Sequence, residues 1–219
     1  MPIPKQIFQT FRSRQLPWIT MYHIARLKRL NPEYAYHFYD DEMILEFLEN
    51  EFPSEYLRAY NRLTIGAGKA DFFRYAVLYK KGGVYLDLDV KVVKPFREFV
   101  LDSDQAIISN EIDKRLFVQW AMFFVPGHPF LEKTLENIII NIQERRYPNN
   151  IHATTGPVPF SDAIRGCLGS EPHTPYRLMG VYYNGVMKEK YKLAKIAIYK
   201  HKKNHWKKLQ LRQEVVSHQ

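Results

Sequence analysis

The stretch from Lys69 to Val93 narrows the fold more than any other part of the chain. Lys69 to Lys80 reads as a helix, and Gly82-Gly83 follows it. Two consecutive glycines after a helical pattern supply the left-handed turn that ends a helix. The next ten residues alternate, with Val84, Leu86, Leu88 and Val90 on one side and Tyr85, Asp87, Asp89 and Lys91 on the other. A period of two predicts a half-buried strand. A helix that turns on glycines straight into a strand is an α/β unit.

The flanking sequence repeats the theme. Lys5 to Phe11 alternates apolar and polar residues and predicts a first strand. Trp18, Tyr22, Ala25 and Leu30, separated by Arg26, Lys28 and Arg29, fit an amphipathic helix closed by Asn31-Pro32. Tyr34 to Tyr39 is a second strand. Asp40-Asp41 caps a helix over Glu42 to Glu51, and Pro53-Ser54 opens another through Leu63. Gln105 to Asn110 and Val118 to Val125 predict strands, Pro129 to Arg145 a helix, Phe160 to Cys167 a short helix, and Lys195 to Tyr199 a last strand. The pattern contains no internal repeat and no linker long enough to divide it.

Composition excludes several classes. With 46% hydrophobic and 15% aromatic residues, the 219-residue chain is not disordered in bulk. The longest apolar stretch, Leu116 to Val125, is interrupted by Gln119 and cannot span a bilayer. The opening Met-Pro-Ile-Pro-Lys-Gln is not a signal peptide. Cys167 is the single cysteine, which excludes an intramolecular disulfide and a cysteine-built zinc site. A reducing compartment fits, so the expected location is cytoplasmic, peripheral to a membrane where basic residues meet it. The net charge of +9 is concentrated between Lys188 and Arg212, where ten Lys and Arg face one acid, Glu189; the remainder sums to zero. Such a segment attracts phosphate in a nucleotide, a nucleic acid or an anionic membrane, or simply solvates the chain.

Asp87-Leu88-Asp89 is the feature most charged with chemistry. On extended backbone residues i and i+2 share a face, so both carboxylates project together while Leu88 enters the core. Two anions so close call for a cation or a set of donors, and hard oxygen ligands suit Mg²⁺ or Mn²⁺. Asp71 and Arg74, at i and i+3 on the preceding helix, share a face next to that strand. An arginine beside two aspartates holds sugar hydroxyls or phosphate oxygens; each feature taken alone also reads as a solvated surface pair.

Taken together, the stretch Ala70-Asp71-Phe-Phe-Arg74-Tyr75 through Gly82-Gly83-Val-Tyr85-Leu-Asp87-Leu-Asp89 resembles the signature of the glycosyltransferases with a DXD sugar-binding motif, family 32. Ile3-Pro4-Lys5 through Phe11 is similar to that family's opening block, and Asn31-Pro32 with Tyr39-Asp40-Asp41 to its second strand. Val118-Gln119-Trp120 with Pro126-Gly-His128-Pro129, and Thr155-Gly156-Pro157 with Asp162, resemble later blocks of its mannosyltransferase branch.

The resemblance implies a GT-A fold: a single, Rossmann-like α/β domain with a mixed central sheet flanked by helices, binding a nucleotide sugar through Mn²⁺ or Mg²⁺. It implies that this domain covers residues 1–206, with 207–219 a basic C-terminal tail. Carried across, Asp71, Arg74, Asp87 and Asp89 form the catalytic set. Phe11, Tyr85 and Trp206 join Asp71, Arg74 and Asp87 in holding a UDP- or GDP-sugar, and Asp87, Asp89, His201 and Asn204 hold the metal. Gln119, Trp120, Thr155, Gly156 and Asp162 are expected on the acceptor side, for a saccharide or glycolipid; Trp120 also reads as a core residue, and Thr155-Gly156-Pro157 as a helix start. The pattern departs from the family at Phe8, Phe11, Asn204 and His205, where histidine, tryptophan, serine and serine are usual. The resemblance implies retention of the α configuration, and no carboxylate here stands out as a nucleophile, so front-face attack is expected. The basic residues Lys207, Lys208 and Arg212 are expected to meet an anionic membrane. A specific nucleic acid is not expected; the alternatives are a fold that binds the donor without turnover and, ranked below it, a nucleic-acid-binding protein using the basic C-terminal segment.

Overall fold

The computed structural model describes residues 1–170, 173–194 and 206–218. The strand expected over 195–199 and the metal ligands expected at His201 and Asn204 lie outside these residues. In chain order the elements are β1 (Gln6–Thr10), α1 (Trp18–Leu30), β2 (Ala35–Tyr39), α2 (Asp41–Glu51), α3 (Ser54–Asn61), α4 (Gly66–Lys81), β3 (Gly83–Leu86), β4 (Lys91–Val92) and β5 (Ala106–Asn110). They continue as β6 (Ala121–Phe124), α5 (Pro129–Gln143), α6 (Ile151–Thr154), α7 (Pro157–Ser170), β7 (Arg177–Val181), β8 (Met187–Lys188) and α8 (Trp206–Leu209).

Six strands form one mixed sheet in the order β2-β1-β3-β6-β5-β7. β1 runs parallel to both β2 and β3, β6 is antiparallel to β3 and β5, and β7 is parallel to β5. The parallel trio matters for function. Phe11, Asp40 and Asp87 each follow the last residue of one of these strands, so they share the carboxyl edge where open α/β sheets bind ligands.

Each face of the sheet is covered. α2 to α7 bury Ile44, Phe72, Phe73, Ile138 and Phe160 against one face. Leu27 of α1, with Phe96, Phe99 and Tyr183, covers the other. α4 is the central helix, and Phe72 through Leu78 are all buried. Its end behaves as the glycine pair predicts. Gly82 and Gly83 have φ of 63° and 103°. A Cβ on Gly83 would also lie 2.8 Å from the Gln6 carbonyl oxygen, so close approach to β1 demands glycine as much as the turn does.

Three expectations are corrected. The alternating run from Val84 to Val93 is not one strand. The Asp87 N–H donates to the Trp120 carbonyl (2.8 Å), and the Val90 N–H then closes a turn on the Asp87 carbonyl (3.0 Å). The chain resumes as β4, which pairs with β8 in a separate two-stranded sheet. Alternation and a turn followed by a short strand look alike in sequence, because both leave Leu88 and Val90 buried.

The helix α1 forms where expected but faces the other way: Thr20 and Leu27 are buried, while Trp18, Met21 and Tyr22 are exposed. Residues 207–218 are not a loose tail. Val215 and Val216 are fully buried in the helical core, Val216 bridges Leu63, and the Thr64 N–H donates to the Val215 carbonyl (3.0 Å). Two adjacent valines after a basic run are the sequence signal for this return.

Gly83→Ala is expected to cost roughly 2–4 kcal/mol, from an unfavourable φ plus the contact with Gln6. Gly166→Ala, whose Cβ meets nothing within 4 Å inside α7, is expected to be neutral or to stabilise by up to about 1 kcal/mol. Urea unfolding of the two variants checks the contrast.

Candidate active site

α4 and the turn after β3 place the charged residues. Asp71 and Arg74, one helical turn apart on α4, are 5% and 4% exposed. One Nη of Arg74 contacts Asp87 Oδ1 (2.9 Å) and Asp71 Oδ1 (3.2 Å), while the other donates to the Gln119 carbonyl (2.9 Å). The guanidinium lies over the Tyr85 ring, 4.9 Å from its centroid, and the Tyr85 hydroxyl donates to Asp87 Oδ1 (3.2 Å). The i and i+3 spacing on α4 is therefore a buried ion pair, not a solvated one.

A second set of bonds fixes Asp71. Thr155 Oγ1 donates to its Oδ2 (3.0 Å), and Gln119 Nε2 donates to its Oδ1 (3.2 Å). The Tyr75 hydroxyl bonds both Gln119 Oε1 and the Gly156 carbonyl. A Cβ on Gly156 would stand 2.8 Å from His152 Cα, so this glycine lets α6 and α7 close up and bring Thr155 to Asp71.

Burial sets the electrostatics. Asp71 is pushed up to about 6 by desolvation, against the pull of Arg74. Asp87 is raised, again by desolvation opposed by Arg74, although 30% of its side chain remains open to solvent. Asp89, 5% exposed, is pushed up to about 7 by desolvation and then by the charge of Asp87, with Lys190 opposing. Burial alone would lower Arg74, but Asp87, Tyr85 and Asp71 outweigh it and hold the guanidinium charged.

The expected residues thus divide. Asp71, Arg74, Tyr85, Asp87, Gln119, Thr155 and Gly156 meet in one hydrogen-bonded cluster, with Asp89 on the adjoining turn. Gln119, Thr155 and Gly156, expected on the acceptor side, here support Asp71. Phe11 is half-buried at the same edge, its N–H bonded to the Tyr39 carbonyl (3.2 Å). Trp206 stacks at 4.8 Å on His152 of α6, three residues before Thr155. Trp120 packs edge-on to Tyr182 and Tyr183 and contributes core, not pocket wall. Asp162 sits on the exposed side of α7 and pairs with Arg165 (3.1 Å), outside the cluster.

Three participants escape sequence reasoning. Tyr75 looks like one more apolar helix residue until its hydroxyl is placed. Gln9 is a buried polar residue in β1; its Nε2 donates to the Asp87 carbonyl (3.2 Å), and its Oε1 accepts from the Tyr36 hydroxyl (3.0 Å). Tyr36, with Arg14, Leu16, Ile24 and Phe38, lines a cavity of about 350 Å³ beside this edge. A glutamine on the buried face of a strand was the available signal for that link.

This edge belongs to a known architecture. Residues 17–113 match the model of the glycosyltransferase sugar-binding region containing the DXD motif. The chain is 32% identical over 166 residues to inositol phosphoceramide mannosyltransferase 3 of Schizosaccharomyces pombe, covering 73% of this chain and 44% of that protein. It is 25% identical over 203 residues to the initiation-specific alpha-1,6-mannosyltransferase of Candida albicans, covering 74% of this chain and 52% of that protein. The chain spans about half the length of the curated relatives it matches. Among solved structures, the PaToxG glycosyltransferase superposes with a TM-score of 0.64 at 21% identity, covering 78% of this chain and 71% of that one. The fold is GT-A, and the chain belongs to the DXD-motif glycosyltransferase family.

The raised carboxylates carry a stability cost whose sign is fixed. Asp89 binds its proton more tightly folded than unfolded, so its contribution to stability is fully present below pH 3.8 and is lost as pH rises through about 7. Asp89→Asn mimics the protonated form. It is therefore expected to gain on the wild type by up to about 4 kcal/mol between pH 4 and pH 8, with the gain flat above pH 8. Urea titrations across that pH range, without added divalent cations, measure it.

Proposed function

We propose that this chain is a metal-dependent hexosyltransferase that moves a sugar, mannose in the first instance, from a GDP- or UDP-sugar to a saccharide or glycolipid acceptor. The observation that carries the reading is the buried Asp71–Arg74–Asp87 chain, ending beside Asp89 on the carboxyl edge of the sheet. The names of the relatives, mannosyltransferases in both cases, favour mannose, and the ceramide-linked substrate named for one of them favours a glycolipid.

The residues fit a divalent cation. Asp87 and Asp89 offer hard oxygen ligands on one turn, and both are held above the ordinary carboxylate range by burial, so Mn²⁺ or Mg²⁺ there would offset the repulsion of Asp89 by Asp87. Bound at Asp87 and Asp89, such an ion supplies charge neutralisation for a departing diphosphate.

The protein's own residues do the rest. Arg74 cannot swing away, because its two Nη groups are tied to Asp71, Asp87 and the Gln119 carbonyl. Its fixed positive charge is electrostatic preorganisation toward the donor. Asp71, oriented by Thr155 and Gln119, keeps a carboxylate toward the sugar hydroxyls. Phe11 offers a ring for the nucleotide base, and the cavity lined by Tyr36 and Phe38 offers it room beside Gln9. With no carboxylate standing as a nucleophile in this cluster, attack from the leaving-group face with retained configuration is the mechanism that fits. The site of action is the surface of a membrane carrying the acceptor; among the described residues no helix is long and apolar enough to cross one.

Nucleotide release from a panel of UDP- and GDP-sugars tests this reading, with Mn²⁺, Mg²⁺ or EDTA. One donor is expected to be cleaved, and both EDTA and Asp89→Ala are expected to lower the rate by at least about 100-fold. Calorimetry that detects no binding of any nucleotide sugar would sink it. An inverted anomer in the product NMR spectrum would overturn the retaining mechanism alone.

A further inference from the structure

Among the described residues, the outward face of α1 has no partner. Trp18, Met21 and Tyr22 are 72%, 53% and 54% exposed, and with Ala25 they form a single stripe at i, i+3, i+4 and i+7. Lys28 and Arg29 end the same exposed face. This is the apolar stripe that a helix normally turns toward its core. Here the core side of α1 is held instead by Thr20, Leu27 and His23.

The sequence around the stripe carries charge of one sign. No Asp or Glu stands before Glu33, while Lys5, Arg12, Arg14, Arg26, Lys28 and Arg29 give the first 32 residues a charge of +6; of these, Arg14 is paired with Asp40 (2.8 Å). The basicity of the chain is thus not confined to its C-terminal third. An exposed tryptophan, methionine and tyrosine bordered by cations, with no acid among them, match a helix lying in the interface of an anionic bilayer. A water-facing helix has no use for the first three, and a partner helix has no use for so many cations of one sign.

The opposite, inner side of the same helix is tied to the active site. Tyr191 donates its N–H to the Asp89 carbonyl (2.9 Å), its hydroxyl bonds Thr20 Oγ1 (2.8 Å), and its ring stacks on His23 at 4.0 Å. The inner side of α1 is therefore clasped to the residue next to the acidic turn. We propose that the outer face of α1, built on Trp18, Met21 and Tyr22 and flanked by Lys28 and Arg29, docks the chain flat on an anionic membrane. This docking goes beyond the proposed transferase reading and stands without it, since vesicle binding needs no turnover.

Co-sedimentation of the full chain with phosphatidylcholine vesicles, with or without phosphatidylserine, tests the docking. Binding is expected only with phosphatidylserine, and it is expected to weaken with salt. Trp18→Ser/Tyr22→Ser and Lys28→Glu/Arg29→Glu are each expected to lower it at least about tenfold, while Lys207→Glu/Lys208→Glu on α8 leaves most of it. Circular dichroism melts check that the variants fold. As a readout that needs no disruptive variant, brominated phospholipid should quench the wild-type tryptophan fluorescence, and Trp18→Phe should remove that quenching.

Binding that survives both α1 variants, or that falls only with the α8 variant, would overturn the proposal. So would a chain that ignores vesicles and sediments as a dimer dissociated by Trp18→Ser/Tyr22→Ser, which would make the face a contact between two copies. Quenching that persists in Trp18→Phe would place the lipid contact elsewhere and overturn it too.

Discussion

Arg74 is the interaction on which the site depends. A guanidinium taken out of water costs several kcal/mol unless its donors and its charge are matched. Here two carboxylates, a backbone carbonyl and the face of a tyrosine match its charge and both Nη groups, leaving only the buried Nε without a hydrogen bond among the described residues. Because Asp71 and Arg74 lie on the central helix and Asp87 follows the central parallel strand, the ion cluster also locks α4 to the end of β3. The diglycine turn makes this possible by returning the chain directly from one to the other. Removing a single member would leave a buried charge, so the cluster is rigid by necessity.

That necessity explains what was readable in the sequence. The α4–Gly82-Gly83–β3 unit was legible because its period, its breakers and its charged residues all belong to one short stretch. Its neighbours β1, α2 and α5 were legible for similar local reasons: Asp40, for instance, caps α2 by accepting the Met43 N–H (3.0 Å), as its position foretells. The two carboxylates were found for a wrong local reason. They come together through a turn, not through the pleat of a continuous strand.

What stayed hidden is long-range or depends on which face a helix turns inward. Thr155 and Gln119 reach Asp71 across 84 and 48 residues of sequence, and no periodicity encodes such a contact. The direction of α1 is not encoded in its period, because an apolar stripe has the same spacing whether it faces the core or turns away from it. Val215 and Val216 were hidden by charge: the basic residues before them dominate the composition and mask two core residues that fasten 206–218 to α3 and its end.

The sheet topology joins these observations. Parallel β1, β2 and β3 all end at one edge, and the loop after β1 leads straight into α1. A helix that starts on the ligand-binding edge cannot be placed far from the ligand. Tyr191 tightens that relation by touching α1 and the Asp89 carbonyl with one side chain and its own backbone. Exposed apolar area costs solvation and invites aggregation, so a fold keeps it only where something else covers it. On this chain it is kept on a helix whose inner side is fastened, through Tyr191, to the acidic turn.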